Sequence, residues 1–385
     1  MQIQSIIQSR ISTILFLAIR QTRARLIASL FTVSVVLVGL GMCAAGAVAA
    51  VVDNPVKWHP GHYAMLVEPG KDSPQHMENV YRELANTPAL RGIVIRFTWA
   101  ELEPSKGAYN FKSIDKHLAE LTERKKRLII LLETKSFRHD SMDAPKYLRT
   151  DEYDGGVFAF RGKTTGYNIK LWNDRVRDRL NALVTALGNR YNNKPYFEGF
   201  GLQETAMGDP IKPITAKQID DYYDNLLAVN RQMRKSFRNT MTFQYTNYPR
   251  GILSSFIGAL KGMGAALGGP DIFIQDPGLL FKGSKHSDPG LYTFYPKLSN
   301  IMPLVIQVEK SNYEDTRHDG SGYKPTVNEL LAFGRDKLKV NYIFWTRSPG
   351  YYDKVVEMLR MQAQKSTPSG GLNPACPSVF ASCSK

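Results

Sequence analysis

Two glutamates in this sequence stand directly after short apolar segments. Glu204 follows residues 197–202 and the amide Gln203, and Glu309 follows residues 303–308. Apolar strands of this kind, buried on both faces, deliver their C-terminal residues to one rim of a closed parallel barrel. Two carboxyl groups on such a rim supply a proton donor and a nucleophile or base, which is the pair that cleavage of a glycosidic bond needs.

Other carboxylates compete for the same roles. Glu68, Glu133 and Asp276 also follow predicted strands, and the pair Glu204/Asp276 stays open as the alternative to Glu204/Glu309. Plain structural roles stay open too, because the lysine that follows Glu309 could hold it in a surface ion pair.

The elements that must position these residues alternate regularly between residues 57 and 364. Eight apolar runs, seven of them followed by a helical pattern and the sixth by a long loop, predict a single (β/α)8 TIM barrel. No glycine-rich phosphate loop follows the first run, which disfavours an open dinucleotide-binding sheet. The predicted strands are residues 63–67, 92–98, 128–132, 197–202, 241–245, 272–274, 303–308 and 342–345. The predicted helices are residues 74–85, 111–125, 171–191, 215–237, 252–267, 325–337 and 351–361.

Polar and aromatic residues near the strand ends complete the predicted rim. Arg96 lies in an otherwise apolar strand, so it needs a buried partner, because an unpaired charge there is too costly. Tyr245 ends the fifth strand, and Tyr313 follows the seventh; both are candidates to support a nucleophile. Carboxylates mixed with aromatic rings are typical of sugar sites, since sugars offer hydroxyl groups and an apolar C–H face.

A spaced motif follows the second predicted strand, with the pattern W-x-x-L-E-P-x-x-G-x-Y-x-F. It resembles the strand-2 loop of clan A glycoside hydrolases, including bacterial β-galactosidases and xylanase- and cellulase-like relatives. The resemblance extends to the architecture of residues 57–364, with only scattered sequence positions matching. The residues that carry it are Trp99, Leu102, Glu103, Pro104, Gly107, Tyr109 and Phe111.

The resemblance implies roles for individual residues. Glu204 would be the acid/base and Glu309 the nucleophile of a retaining mechanism. Arg96 would hold the nucleophile ionised, and Trp345 would be the aromatic platform under the sugar. Gln203 stands where the family has an Asn whose amide contacts the sugar 2-hydroxyl, so this position departs from the family pattern.

The two ends of the chain carry separate signals. Three arginines precede an uncharged apolar stretch that ends in the A-x-A-type site 47–49, so residues 1–49 are predicted to be a signal peptide, with an uncleaved inner-membrane anchor as the alternative. Either leader predicts a periplasmic or secreted protein. Residues 365–385 form a polar tail in which Cys376 and Cys383 can form a disulfide.

The amino-acid composition limits the classes of molecule that this protein could bind. The chain has 385 residues with 50 Lys+Arg against 35 Asp+Glu, and the basic residues are scattered rather than clustered. With no nucleic-acid motif, the positive charge favours an acidic or anionically decorated glycan. No metal-ligand spacing occurs, and we expect no cofactor, a monomer, and contact with a membrane only through an uncleaved leader.

Together these features predict a glycoside hydrolase that cleaves a poly- or oligosaccharide, with Glu204 and Glu309 as catalytic residues. The predicted substrate contacts are Arg96, Trp99, Gln203, Tyr245, Asp276, Tyr313 and Trp345. The alternative is a non-catalytic carbohydrate-binding barrel of an exopolysaccharide or envelope system. A lyase or transglycosylase on the same scaffold is a third hypothesis.

Overall fold

A computed structural model describes residues 55–67, 70–162, 164–363 and 367–385. The predicted leader with its cleavage site, and Glu68, lie outside these residues. None of the helices in the described part of the chain is both long enough and apolar enough to cross a membrane.

Eight parallel strands form a closed barrel, which confirms the predicted fold class. Each strand pairs with the next one along the chain, and the eighth pairs with the first, so the barrel has no free edge. The strands are β1 (Gly61–Leu66), β2 (Leu90–Thr98), β3 (Arg127–Glu133), β4 (Phe197–Leu202), β5 (Met241–Tyr245), β6 (Ala266–Gly269), β7 (Leu304–Val308) and β8 (Tyr342–Thr346).

Helices follow the strands and cover the outside of the barrel. Thr215 begins one of them with a capping box, in which its hydroxyl accepts from the Gln218 N–H and the Gln218 side chain accepts from the Thr215 N–H. Ser73 caps another in a similar way. One helix after each strand is numbered: α1 (Pro74–Ala85), α2 (Lys112–Glu123), α3 (Asp174–Tyr191), α4 (Ala216–Ser236), α5 (Arg250–Met263), α6 (Tyr295–Leu298), α7 (Val327–Ala332, continued by a π-helical turn over Phe333–Lys337) and α8 (Tyr352–Ala363). Short helices also cover Trp99–Leu102 and Lys310–Glu314.

Aromatic side chains fill the interior of the barrel. Phe243 on β5 contacts Phe344 on β8 with ring centroids 5.6 Å apart, and Tyr63 on β1 contacts the same ring at 6.0 Å. Because β5 and β8 are not neighbours in the sheet, this contact must cross the interior. Gly201 on β4 makes room for it, since a Cβ at this position would lie 2.2 Å from the Phe243 ring.

The sixth strand lies elsewhere than the sequence predicted. Residues 272–274 are not a strand, and Ala266–Gly269, which we expected partly inside a helix, pairs with both β5 and β7. Small residues hid this strand, because glycine and alanine have low strand propensity. Packing explains why position 268 is a glycine, because a Cβ there would lie 2.7 Å from the Tyr245 ring. The correction moves the rim position of β6 to Pro270 and Asp271.

Two further features surround the barrel. The loop after β3 contains an antiparallel hairpin of Val157–Arg161 and Gly166–Ile169, joined by Asp209–Pro210 from the loop after β4. The tail carries the expected disulfide between Cys376 and Cys383, and its strand Cys383–Ser384 pairs with Val56–Lys57 at the start of the described chain.

Candidate active site

Glu309 follows β7 and accepts hydrogen bonds from two side chains. Arg96 on β2 donates through Nη2 to Glu309 Oε1, and Gln307 donates through Nε2 to the same oxygen at 2.6 Å. The second guanidinium nitrogen of Arg96, Nη1, lies 3.5 Å from Oε1 of Glu133. The Tyr245 hydroxyl donates to Gln307 Oε1 at 2.9 Å, which fixes the direction of the Gln307 amide. Three strands therefore hold one carboxylate in place.

The charges around Glu309 are stable to pH. Burial opposes the positive charge of Arg96, but Glu309 and Glu133 beside it hold the pKa of this guanidinium above its usual value. Burial raises the pKa of the Tyr245 hydroxyl well above its usual value, so Tyr245 stays protonated and keeps donating. Glu309 therefore faces a permanent cation and a fixed amide donor.

The backbone after β7 also holds Glu309 in position. Asn312, in the short helix Lys310–Glu314, accepts from the Glu309 N–H at 2.7 Å through its Oδ1 atom. Lys310, which could have formed a surface pair with Glu309, instead lies 3.6 Å from Glu314. The structure therefore favours a site role for Glu309 over the surface ion pair.

Glu204 follows β4 and contacts a buried lysine. Lys135, just after β3, donates through Nζ to Glu204 Oε1 at 2.5 Å and to the carbonyl of Ala206 at 2.6 Å. Asn247 donates through Nδ2 to the other carboxylate oxygen of Glu204. Burial lowers the pKa of the Lys135 ammonium, although the attraction of Glu204 opposes this shift. Nothing in the sequence singled out Lys135, because it lies in a loop where no periodic pattern reports on burial.

The amide of Gln203 is hydrogen-bonded to backbone. Its Oε1 accepts from the N–H groups of Thr134 and Lys135, both at 2.8 Å, and its Nε2 donates to the Lys135 carbonyl at 3.0 Å. Gln203 thus ties the end of β4 to the end of β3 and fixes the loop that carries Lys135. Its contact with a sugar hydroxyl stays a prediction.

A further carboxyl group, missed from the sequence, belongs to the same site as the two glutamates. Asp271 follows β6, accepts from Asn312 Nδ2 at 3.1 Å, and lines a cavity with Glu204 and Glu309. Burial raises the pKa of Asp271 to about 7, and the negative charges of Glu204 and Glu309 add to the rise. The misplaced sixth strand concealed this residue, since its position just after Gly-Gly-Pro looked like the start of a strand rather than its end.

The cavity at the centre of the rim, which we call the central cavity, has a volume of about 460 Å³. It brings together the two predicted catalytic glutamates and three of the predicted substrate contacts. In the described part of the chain, no group of His, Cys, Asp or Glu side chains is arranged to hold a metal ion. The predicted residues that line it are Arg96, Gln203, Glu204, Tyr245 and Glu309.

Trp345 is not positioned as a platform. It is fully buried, and its indole N–H donates to His62 Nδ1 at 3.0 Å. Side chains alternate between the two faces of a strand. Because Phe344 points into the barrel, the next side chain, Trp345, points out toward the helices. Trp345 therefore packs between barrel and helices, and its predicted substrate contact is wrong.

Trp99 is also a structural residue. It is fully buried and donates to Glu103, which in turn accepts from the Gly107 N–H at 2.7 Å and from Arg179. Tyr109 and Phe111 stack at 5.6 Å next to this corner. The W-x-x-L-E-P motif thus folds the loop after β2, and Trp99 does not reach the central cavity.

Asp276 and Tyr313 lie outside the central cavity as well. One carboxylate oxygen of Asp276 accepts from the N–H groups of Gly278 and Leu279, both at 2.8 Å, so Asp276 closes a turn rather than facing Glu204. Tyr313 is buried and stacks on Tyr351 at 4.6 Å. The structure therefore does not pair Asp276 with Glu204, and the carboxyl group after β6 that lines the cavity with Glu204 is that of Asp271.

Comparisons with known proteins agree with this fold. A family model described as beta-galactosidase matches residues 77–237, less than half of the chain, including the W-x-x-L-E-P loop and Glu204 but not Glu309. A search of curated proteins found no match.

Solved structures share the barrel at low sequence identity. The catalytic domain of beta-amylase from Paenibacillus polymyxa is 8% identical with a TM-score of 0.53, covering 83% of this chain and 96% of that one. Beta-galactosidases from Marinomonas ef1 and Rahnella sp. R3 are each 12% identical, with TM-scores of 0.53 and 0.57. They cover 82% and 83% of this chain, which spans only 61% and 58% of their length.

These findings confirm the resemblance to the (β/α)8 glycoside hydrolases without fixing one family. The structural likeness shows the fold, and the family match adds a glycosidase sequence signal over the first half of the barrel. Together they support a glycosidase acting on a poly- or oligosaccharide rather than a non-catalytic binding barrel.

Proposed function

We propose that this protein is a retaining glycoside hydrolase in which Glu309 is the nucleophile and Glu204 the acid/base. The observation that carries the proposal is that the two glutamates, from β4 and β7, line one cavity on the C-terminal rim of the barrel. The family match reaches only Glu204, so the placement of Glu309 in the same cavity is independent support.

The mechanism follows from the contacts of the two carboxyl groups. Glu309, held by Arg96 and Gln307, attacks the anomeric carbon while Glu204 donates a proton to the departing glycosidic oxygen. The C–O bond to the leaving group breaks as the bond to Glu309 forms. Glu204 then removes a proton from water, whose oxygen displaces Glu309 and releases the sugar.

Lys135 gives Glu204 a proton partner. A charged lysine with a carboxylate and a neutral lysine with a carboxylic acid contain the same number of protons, so the pair can carry its proton on either side. Burial lowers the pKa of the Lys135 ammonium, although the attraction of Glu204 opposes this shift. Lys135 Nζ, in contact with Glu204 Oε1, is therefore the group with which Glu204 can exchange its proton between the two steps.

The charge of the central cavity favours a neutral glycan. Carboxyl groups outnumber cations around it, even when Lys135 beside Glu204 is counted, so the cavity offers no excess of positive charge to an anionic sugar. The chain's overall positive charge thus does not extend to the site, and we propose a neutral substrate in place of the acidic one. The carboxyl groups are those of Glu133, Glu204, Asp271, Glu309 and Glu314, and the cations are Arg96 and Lys310.

We retain the proposals of a monomer and of an exported protein. Export is supported by the arginines and apolar stretch of residues 1–49 and by the two cysteines that form a disulfide. N-terminal sequencing of the protein purified from an expressing bacterium tests it: a start just after residue 49 supports cleavage, and an intact N-terminus favours the membrane anchor.

The catalytic assignment is tested on a panel of neutral polysaccharides. We expect wild type to release reducing ends from at least one member, and Glu309→Gln and Glu204→Gln to lose about 100-fold or more of that rate, since each removes a group that acts in the transition state. Glu357→Gln, an exposed glutamate on α8, is the matched control and keeps wild-type turnover. Wild-type rates in both site variants would contradict the assignment.

A further inference from the structure

Three cavities on the barrel rim meet at one exposed aromatic residue. Phe137, in the loop after β3, lines the central cavity and both of its neighbours, and 56% of its surface is exposed. The first neighbour, which we call the β1–β3 arm, has a volume of about 430 Å³, and the second, the aromatic arm, about 300 Å³. The site is therefore a connected cleft rather than a single pocket.

The two arms leave the central cavity in different directions. The β1–β3 arm shares Arg96 and Glu133 with the central cavity, so it leaves over the ends of β2 and β3. The aromatic arm shares Glu204 and Asp271 with it and leaves over β4 and β6. Both arms are lined by Lys135 and Phe137 of the loop after β3, and the β1–β3 arm also reaches Gln203. Beyond this shared part, one arm runs over β1 and β2 and the other over β5 and β6.

The residues that line the aromatic arm indicate which part of the substrate it binds. Glu204 lines this arm, but Glu309 does not. A general acid must reach the oxygen of the leaving group, so the part of the substrate beyond the broken bond lies on the Glu204 side. The β1–β3 arm is then left for the sugars on the other side of the bond.

The walls of the aromatic arm suit the flat C–H faces of sugar rings. Phe137 packs edge-to-face on Phe160 with centroids 5.7 Å apart, and the Lys135 ammonium lies 4.6 Å from its ring. Tyr248, also partly exposed, lines the same arm. An exposed aromatic face held by a neighbouring ring and a cation is a stable surface for stacking.

We propose that this cleft binds a neutral polysaccharide on both sides of the broken bond, so that the enzyme cuts within the chain and uses Phe137 as a stacking platform. An enzyme that removes terminal sugars needs a wall beyond the reacting sugar, whereas here the central cavity adjoins one further cavity at Glu204 and Asp271 and another at Arg96 and Glu133. This inference rests on the proposed glycosidase activity and names its mode of action.

The mode of action is read from viscosity and reducing ends measured together on the cleaved polysaccharide of the panel. Internal cleavage predicts that viscosity falls by half while only a few per cent of the bonds are cut, with oligosaccharides of mixed length as early products. Release of only mono- or disaccharides at nearly constant viscosity would overturn the inference while leaving the proposed activity intact. Absence of reducing ends on every substrate would overturn the proposed function, and this inference with it.

The platform is tested with Phe137→Ala against Tyr323→Ala, an equally exposed ring that lines none of the three cavities. Loss of one stacking contact predicts a KM about tenfold higher on the polysaccharide, with a smaller change on an aryl glycoside of a single sugar. Tyr323→Ala should match wild type on both substrates. An unchanged polysaccharide KM in Phe137→Ala, with native thermal unfolding, would refute the platform.

Discussion

Replacing Asp271 with Asn is expected to raise the free energy of unfolding at neutral pH. The pKa of this carboxyl group rises from 3.8 to about 7 in the folded chain. The folded protein therefore holds a proton that the unfolded chain has released, and stability falls as pH rises from about 4 to about 7. Asn cannot ionise, and its oxygen can still accept from Asn312, so the variant escapes that loss.

The size of the effect follows from the same pKa values. At about 1.4 kcal/mol per pH unit, the rise corresponds to about 4 kcal/mol as an upper bound. Asp271 is half-buried and faces a cavity open to water, so screening reduces the expected gain to about 2 kcal/mol. The gain should be near zero at pH 4 and complete above pH 7.

Urea unfolding of wild type and Asp271→Asn at pH 4, 6 and 8 measures this difference. We expect the two curves to coincide at pH 4 and the variant midpoint to lie at higher urea at pH 8. A constant offset at all three pH values would refute the reasoning, because it would show that ionisation of Asp271 is not the cause. A variant less stable at pH 8 would contradict the sign of the argument.

Three further predictions concern the arginine that contacts Glu309, a buried ion pair and the disulfide of the tail. Arg96→Met should lower kcat by about 100-fold, because Glu309 loses its charged donor; an unchanged kcat would count against the role of Arg96. Glu198→Gln should cost about 3 kcal/mol in urea unfolding above pH 5, because it removes the buried partner of His59 and Arg127; an equal cost at pH 2 would argue against a role for its charge. Replacing Cys376 and Cys383 by Ser should cost about 2 kcal/mol in the same assay with little effect on turnover, and no loss would show that the tail needs no disulfide.

The sequence was sufficient for the fold wherever the apolar pattern was strong. Phe197–Leu202 and Met241–Tyr245 were placed correctly because their aromatic residues are typical of strands. Ala266–Gly269 was missed because its glycines are required by packing against neighbouring side chains, which a single sequence does not reveal. Residues 272–274, which were predicted to be a strand, are three apolar residues of the segment that follows the end of β6.

For the site, the sequence placed residues at strand ends but not the direction of each side chain. Glu204, Glu309 and Arg96 were found together because all of them lie at or near C-terminal strand ends. Trp345 also lies near the C-terminal end of its strand, yet its side chain points outward, because side chains alternate between the two faces of a strand. Which side chains point inward follows only from contacts inside the barrel, such as that between Phe243 and Phe344.

Residues of the loops were the hardest to predict. Lys135 and Phe137 are adjacent to the same strand end, and one is buried against Glu204 while the other is exposed in the cleft. The hydrogen bonds of Gln203 to the loop backbone place both, and these bonds depend on the assembled barrel. The departure from Asn at position 203 is therefore accounted for by the β3 loop that its amide holds.

The central claim is that Glu309 forms the covalent bond to the sugar, and mass spectrometry tests it most directly. Wild type is incubated with the 2-deoxy-2-fluoro glycoside, carrying a good leaving group, of the sugar it releases, so that the glycosyl-enzyme accumulates, and the labelled peptide is sequenced. The account predicts one sugar per chain, attached to Glu309, and none in Glu309→Gln. A label on Glu133 or Asp271, or activity on the natural substrate with no covalent label, would contradict it.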